Sequence, residues 1–173
     1  RSTPLYSSAA SDVYKRQTND HAGSFRMQVY NAIFIAGSRA IMYYGDGVTG
    51  EPDVVTTDWW SDSSTVAAEI DANLDLIEEP HWTTTWGATS NNAAVLLGTR
   101  EIGSTKFVIL INQSSSSQSV TVSLTGAHGM GNGDSVIVRG GSQIATTNTS
   151  GEFTYNLPAI GAGSGTVIAE LVP

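Results

Sequence analysis

The chain has 173 residues, 8 Lys plus Arg against 16 Asp plus Glu, a net charge of −8 and no cysteine. That balance excludes recognition of a nucleic acid through its phosphates, which needs clustered cations to release counterions, and it disfavours an anionic membrane surface. Without cysteine there are no disulfides, thiolate metal sites or Cys nucleophiles, and no apolar run approaches the roughly 20 residues that span a bilayer.

Residues 1–17 show no apolar periodicity. The run Asp12-Val13-Tyr14-Lys15-Arg16-Gln17 back-translates as GAT GTG TAT AAG AGA CAG, which resembles the end of a transposase adapter used in sequencing libraries. Residues 1–17 are therefore expected to be translated adapter and disordered, and they are set aside from fold reasoning. They are not a signal peptide, because no apolar stretch follows the basic residues. Without them 5 basic and 15 acidic residues remain, with Lys106 the only lysine. On this reading Thr18 begins a read and not a gene, so the rest is expected to be the C-terminal end of a longer protein. Charged residues are 14% of the chain, against about 25% in an average domain. Ser, Thr, Asn and Gly fill the difference, a surface expected of a secreted or cell-surface β-rich protein.

Phe25, Val29, Ala32, Ile33 and Ala36 recur at helical spacing, with Ser24 as an N-cap and Gly37 as a stop. Met27, Phe34 and Ile35 make the other sides apolar too, so this helix should be packed by more than one neighbour. Ala40-Ile41-Met42-Tyr43-Tyr44, ended by Gly45-Asp46-Gly47, reads as a strand buried on both faces in a parallel sheet. A loop rich in Gly, Pro, Asp and Trp follows. A second helix is predicted from Ser63 to Glu79, with Val66, Ile70, Leu74 and Ile77 as its apolar stripe and Pro80 as its end.

From Ala93 the period changes to two. Val120, Val122 and Leu124 alternate with polar residues, as do Val136 and Val138, then Phe153, Tyr155 and Leu157, then Val167, Ala169 and Leu171. Lys106 to Ile111 is solidly apolar after its first residue, which suggests a central strand. Roughly seven short strands separated by turn-rich spacers predict an antiparallel β-sandwich. The fold class expected is α+β: a helix, strand and helix over residues 18–87, followed by a sandwich over 88–173. The first part lacks partner strands for Ala40 to Tyr44 and is expected to be the tail of a larger α/β domain.

The run Arg26-Met27-Gln28-Val29-Tyr30-Asn31-Ala32, then Ala36-Gly37-Ser38-Arg39-Ala40-Ile41-Met42-Tyr43-Tyr44, resembles the end of (β/α)8-barrel glycoside hydrolases. There an R-x-Q-x-Y-x-A…x-G-A-x-G-I-x-Y-[YW] pattern forms the seventh helix and eighth strand. Ala67 to Leu76, containing Asn73, resembles the helix that follows in those families. Phe107 to Ser114 and Phe153 to Leu171 resemble the strand and closing hairpin of their accessory sandwich. Ser38 and Ala40 depart from the pattern without touching a chemical group.

The resemblance implies that 18–87 is the C-terminal portion of a barrel and 88–173 an accessory sandwich. Hydrolysis of a glycoside needs two carboxyls flanking the bond, and in the barrels resembled these sit upstream of Thr18, so no catalytic residue is expected in this chain. A wall of the sugar site is what remains, because the C-terminal ends of barrel strands face the substrate. Its candidates are Tyr43, Tyr44 and Asp46 at the end of the eighth strand, and Trp59 and Trp60 in the loop after it. Aromatic faces stack on pyranose C–H surfaces and a carboxylate accepts bonds from hydroxyls. The competing readings are barrel core for the tyrosines, a turn residue for Asp46, and packing between barrel and sandwich for the tryptophans. The expected partner is a polysaccharide or oligosaccharide, met through the parent enzyme.

Trp82 and Trp86 flank a Thr run and are expected in interdomain packing. Gly129-Met130-Gly131-Asn132-Gly133 precedes a strand and no helix, so it reads as a flexible hairpin and not a phosphate loop. His21, His81 and His128 are too scattered to assign a metal site. Asp46, Glu51, Asp53 and Asp58 offer oxygen ligands of the kind Ca²⁺ takes, without EF-hand spacing, and read as a solvated loop. No metal or cofactor is expected. Asn112-Gln113-Ser114 and Asn148-Thr149-Ser150 fit the glycosylation pattern. The alternative function is a non-catalytic carbohydrate-binding or cell-surface sandwich with the helical part as linker, which the apolar stretch Ala32 to Ala36 argues against.

Overall fold

A computed structural model describes residues 21–38, 57–79, 85–160 and 165–173. The strand expected at Ala40 to Tyr44, the adapter run and Trp82 lie outside the described residues. Among the described residues, eight strands, all paired antiparallel, form two sheets. Strands β1 (Trp86–Ser90), β4 (Gln118–Gly126) and β7 (Glu152–Leu157) make a three-stranded sheet in the order β1-β4-β7. Strands β2 (Val95–Ile102), β3 (Thr105–Asn112), β5 (Ser135–Val138), β6 (Gln143–Thr146) and β8 (Thr166–Val172) make the other, in the order β2-β3-β8-β5-β6. β2 and β3 are joined at Gly103-Ser104, where Ile102 pairs with Thr105 and Gly103 takes a φ of 60°, a hairpin geometry that favours glycine.

The alternating residues meet between the sheets as predicted: Val120, Val122, Leu124, Val136, Phe153, Leu157, Val167, Ala169 and Leu171 share one core with Val108 and Leu110. Trp86 belongs to that core as well, so it fills the sandwich where packing between domains was expected. Its strand escaped the periodic pattern because Gly87 and Ala88 follow it with little side chain to show an alternation.

The other face of the five-stranded sheet is also covered along β3 and β8. Phe107, Ile109, Ile111 and Ile168 pack against Val29, Tyr30, Ile33, Phe34, Val66 and Leu76 of the helices. The described residues therefore form three layers: a three-stranded sheet, a five-stranded sheet, and helices. β3 is buried from Phe107 through Asn112 because it lies inside the middle layer, which explains a solid apolar run in an antiparallel sheet. Burying four such side chains gives on the order of 6–12 kcal/mol gross. The entropy of ordering the helices offsets much of that gain, and the packed face nonetheless joins helices and sandwich through one apolar cluster.

Helix α1 spans His21–Tyr30 and continues as a π-helix over Asn31–Ile35. Ser24 thus lies inside the helix and is not its N-cap. The wide π turn, closed by Ala36 N–H donating to the Asn31 carbonyl at 2.9 Å, rotates the following residues and brings Phe34 to full burial beside Ile33. Gly37 ends it with a φ of 71°, as predicted.

The second helix is two. α2 runs Thr57–Asp71 and α3 runs Leu74–Glu78, so Ser63 is inside α2 and Trp59 and Trp60 are helical, where a loop was expected. The break sits at Asn73, whose amide donates to the Glu69 carbonyl at 2.7 Å, a local bond of the kind that competes with helix. It changes the phase of the stripe. Val66 is buried as predicted, but Leu74 is 46% exposed and Leu76 is fully buried in its place.

The Gly129–Gly133 segment is not a loose hairpin. Met130 enters the core, Gly131 N–H donates to Asp134 Oδ2 at 2.5 Å, and Gly133 N–H donates to the Thr147 carbonyl at 2.8 Å. Asn112 is fully buried, its amide donating to the carbonyls of Ser116 at 2.9 Å and Pro158 at 2.7 Å. Of the two glycosylation patterns, only the one at Asn148 is therefore on the surface.

Candidate functional site

Of the predicted sugar-site residues, Tyr43, Tyr44 and Asp46 lie outside the described residues. Trp59 and Trp60 fall at the start of α2, and their side chains are likewise outside them. Glu51 and Asp53 of the acidic run are outside as well, and Asp58 is in α2. Among the described residues no group of three His, Asp or Glu is arranged to hold a metal ion.

The described polar chemistry gathers at the seam between the helices and the five-stranded sheet. Arg26 of α1 is 9% exposed. Its Nε donates to Thr166 Oγ1 of β8 at 2.6 Å, its Nη1 pairs with Glu69 of α2, and its guanidinium lies 5.0 Å from the Tyr30 ring centre. Tyr30 O–H donates to the second Glu69 oxygen at 2.8 Å. One arginine thus joins both helices to the sheet. Burial, with the Glu69 carboxylate beside it, pushes the Tyr30 phenol well above its ordinary range, though Arg26 opposes the shift.

A second arginine closes the far end. Arg139, just past β5, donates to Asn73 Oδ1 at 3.0 Å and Asp75 Oδ2 at 2.5 Å, with its guanidinium 5.2 Å from the Phe107 ring centre. The bond from Arg139 holds the Asp75 carboxyl below the usual carboxylate range. Asn73 thus breaks the helix with one end of its amide and receives the sandwich with the other.

The third is Arg100 of β2, opposite Phe107 in the register and 2% exposed. It donates to the Thr99 carbonyl at 2.8 Å and reaches the Ile33 carbonyl in the π turn at 3.4 Å. A cation at the carbonyl end of a helix is favoured by the dipole. Burial pulls its pKa down all the same. Beside it is a depression of 240 Å³ lined by the helix end at Phe34 and Ile35, by Gly87 and Ala88 of β1, and by Leu97 to Arg100 of β2.

Among the described residues, the three arginines act as clamps between helices and sheet. A general acid for glycoside cleavage needs a carboxyl whose pKa is raised. Here Glu69 is taken by Arg26 and Tyr30, Asp75 by Arg139, and Glu152 by hydrogen bonds from Asn148 and Ser123 that lower its pKa. Sequence reasoning quoted Arg26, Tyr30 and Asn73 in the resemblance without finding their roles, and it missed Glu69, Arg100, Arg139 and Thr166. The available signal was scarcity. A chain with so few cations places three arginines on one seam.

No family model matches the sequence, and no curated protein matches it. Among solved structures, the fold is similar to that of an Anoxybacillus alpha-amylase described as giving insight into a new glycosyl hydrolase subclass, with a TM-score of 0.50 and 16% identity over 87% of this chain and 32% of the amylase. This chain thus spans about a third of the length of that amylase. The likeness is one of fold: sheets and helices in this arrangement occur within a glycosyl hydrolase.

Proposed function

We propose that this chain is the C-terminal part of a glycoside hydrolase, with residues 18–87 completing a (β/α)8 barrel and residues 88–173 forming an accessory sandwich that supports it. Both catalytic carboxylates belong to the preceding polypeptide, so the chain alone is not catalytic, and the parent enzyme acts on a polysaccharide or oligosaccharide. Tyr43, Tyr44, Asp46, Trp59 and Trp60 would contribute one wall of its sugar site. The observation that carries the reading is the buried outer face of the five-stranded sheet, where Phe107, Ile109, Ile111 and Ile168 meet helices tied down by Arg26 and Arg139. A binding module on a linker has no need of that second covered face. The amylase likeness supports the same reading at the level of fold.

The test is to extend the reading frame from the source DNA and to assay both products on soluble glucans. The longer protein is expected to carry paired Asp or Glu residues after β-strands and to hydrolyse the glycan, while the 173-residue chain does not. Hydrolysis by the short chain, or an upstream frame that lacks such carboxylates, overturns the reading.

A further inference from the structure

We propose that Asn132 is a site of spontaneous deamidation and that Thr147 sets its rate by holding Gly133. The proposal is independent of the glycoside hydrolase reading. In deamidation the backbone nitrogen of the following residue attacks the carboxamide carbon of an asparagine. A C–N bond forms, the attacking nitrogen gives up its proton, and the old amide group leaves as ammonia. Water then opens the cyclic imide at either carbonyl, giving Asp or an isomer whose main chain runs through the side chain. The attack needs an accessible, unengaged carboxamide and a neighbour with no side chain to screen its nitrogen. Asn132 is exposed, and among the described residues its side chain has no hydrogen-bond partner. Gly133 follows it in the one Asn-Gly pair of the chain, and a β-carbon built on that glycine would meet nothing within 4 Å.

Thr147 is 2% exposed and clasps this turn through three groups. Its carbonyl accepts from Gly133 N–H at 2.8 Å, its N–H donates to the Asp134 carbonyl at 3.0 Å, and its Oγ1 donates to the Gly131 carbonyl at 2.5 Å. The first of these bonds occupies the proton that the reaction must remove and fixes the nitrogen that must move. It yields by local opening of the turn, so the clasp slows the reaction without abolishing it. The other asparagines of the sandwich lack this combination. Asn112 is fully buried, and Asn148 has its carboxamide bonded to Ser150 and Glu152 and is followed by a β-branched Thr149. Isomerisation at Asn132 lengthens the main chain between Met130, which sits in the core, and Gly133. The clasp cannot close on that product as it closes on the parent.

The experiment incubates the full chain in mildly alkaline buffer, native and in urea, and follows deamidation by mass spectrometry of tryptic peptides. Cleavage after Lys106 and Arg139 places Asn112 and Asn132 on one peptide and Asn148 and Asn156 on the next, so the controls are internal. In the native chain Asn132 is expected to deamidate first, and more slowly than it does in urea. Thr147→Val removes the hydroxyl bond to Gly131 and should speed the native reaction at Asn132 by about threefold or more, leaving Asn148 unchanged. Thr147→Ser, which keeps the hydroxyl, should stay near the wild-type rate. A native rate at Asn132 no greater than at Asn148, or equal to its own rate in urea, overturns the proposal. So does a folded Thr147→Val chain that deamidates at the wild-type rate. If that variant does not fold, the comparison of native and urea rates in the wild-type chain decides the matter by itself.

Discussion

Gly98 lies directly against the end of the helix above it: a β-carbon there would stand 2.9 Å from the carbonyl oxygen of Phe34 and 2.9 Å from Cδ1 of Ile35. The backbone obstacle cannot rotate away, so any side chain must lift the helix from the sheet. Gly98→Ala is expected to destabilise by about 1–3 kcal/mol and Gly98→Val by more, read as the urea midpoint. A Val variant with an unchanged midpoint would show that the helix does not rest on this strand.

The pairing of Arg26 with Glu69 should behave as a unit. Glu69→Gln leaves a largely buried guanidinium facing a neutral group and removes the acceptor that Tyr30 uses as a carboxylate. An expected loss of about 1.5–3 kcal/mol follows for a partly solvated charge-assisted bond. In a double-mutant cycle with Arg26→Met, the two losses should fall well short of adding. Additive effects would mean that the residues do not act on each other.

Alkali should reach Tyr30 only well above the ordinary tyrosine range. Its pKa is raised, so its contribution to stability is complete below the ordinary tyrosine value near 10 and is lost as pH rises through the higher folded value. In an absorbance titration at 295 nm, the Tyr30 phenol is expected to ionise only together with unfolding, and Tyr30→Phe should remove its share of that step. If every tyrosine titrates before the fold is lost, the phenol is not held as described.

Acid should act on Asp75 in the opposite sense. Its pKa is lowered by Arg139, so the stabilisation is present above the ordinary carboxylate value near 4 and disappears as pH falls through the lower folded value. The side chain is 50% exposed, so the effect is small, about 0.2–1 kcal/mol. Asp75→Asn should flatten the stability curve at that acidic end and leave it unchanged near neutrality in slope. An unaltered acid limb refutes the assignment.

Leu74 and Leu76 separate the sequence pattern from the folded result. A continuous helix would bury Leu74, whereas the break at Asn73 turns it outward and brings Leu76 inward. Leu76→Ala is expected to cost about 2–5 kcal/mol, and Leu74→Ala to stay within about 0.5 kcal/mol. Equal losses would indicate an unbroken helix.

What the sequence made legible was whatever repeats. Alternation at Val120, Val122 and Leu124 and at Phe153 and Leu157 carries its own period, so the sandwich could be read from it. Residues that depend on a non-repeating event were hidden. Phe34 reaches the core through a π turn and Leu76 through a side-chain bond at Asn73, and neither event leaves a periodic trace. The arginine clamps were invisible for another reason: Arg26 and Thr166 are 140 positions apart, and a single sequence carries no signal linking them. The sugar-site candidates Tyr43, Tyr44 and Asp46 lie outside the described residues.

Because β3 and β8 are buried on both faces, the sandwich is not a portable module. Anyone grafting it onto a new scaffold would have to bring the helices along or repaint Phe107, Ile109, Ile111 and Ile168 with polar side chains. Cut free without either measure, that wall becomes an adhesive surface, and the excised piece should clump before it shows any behaviour of its own.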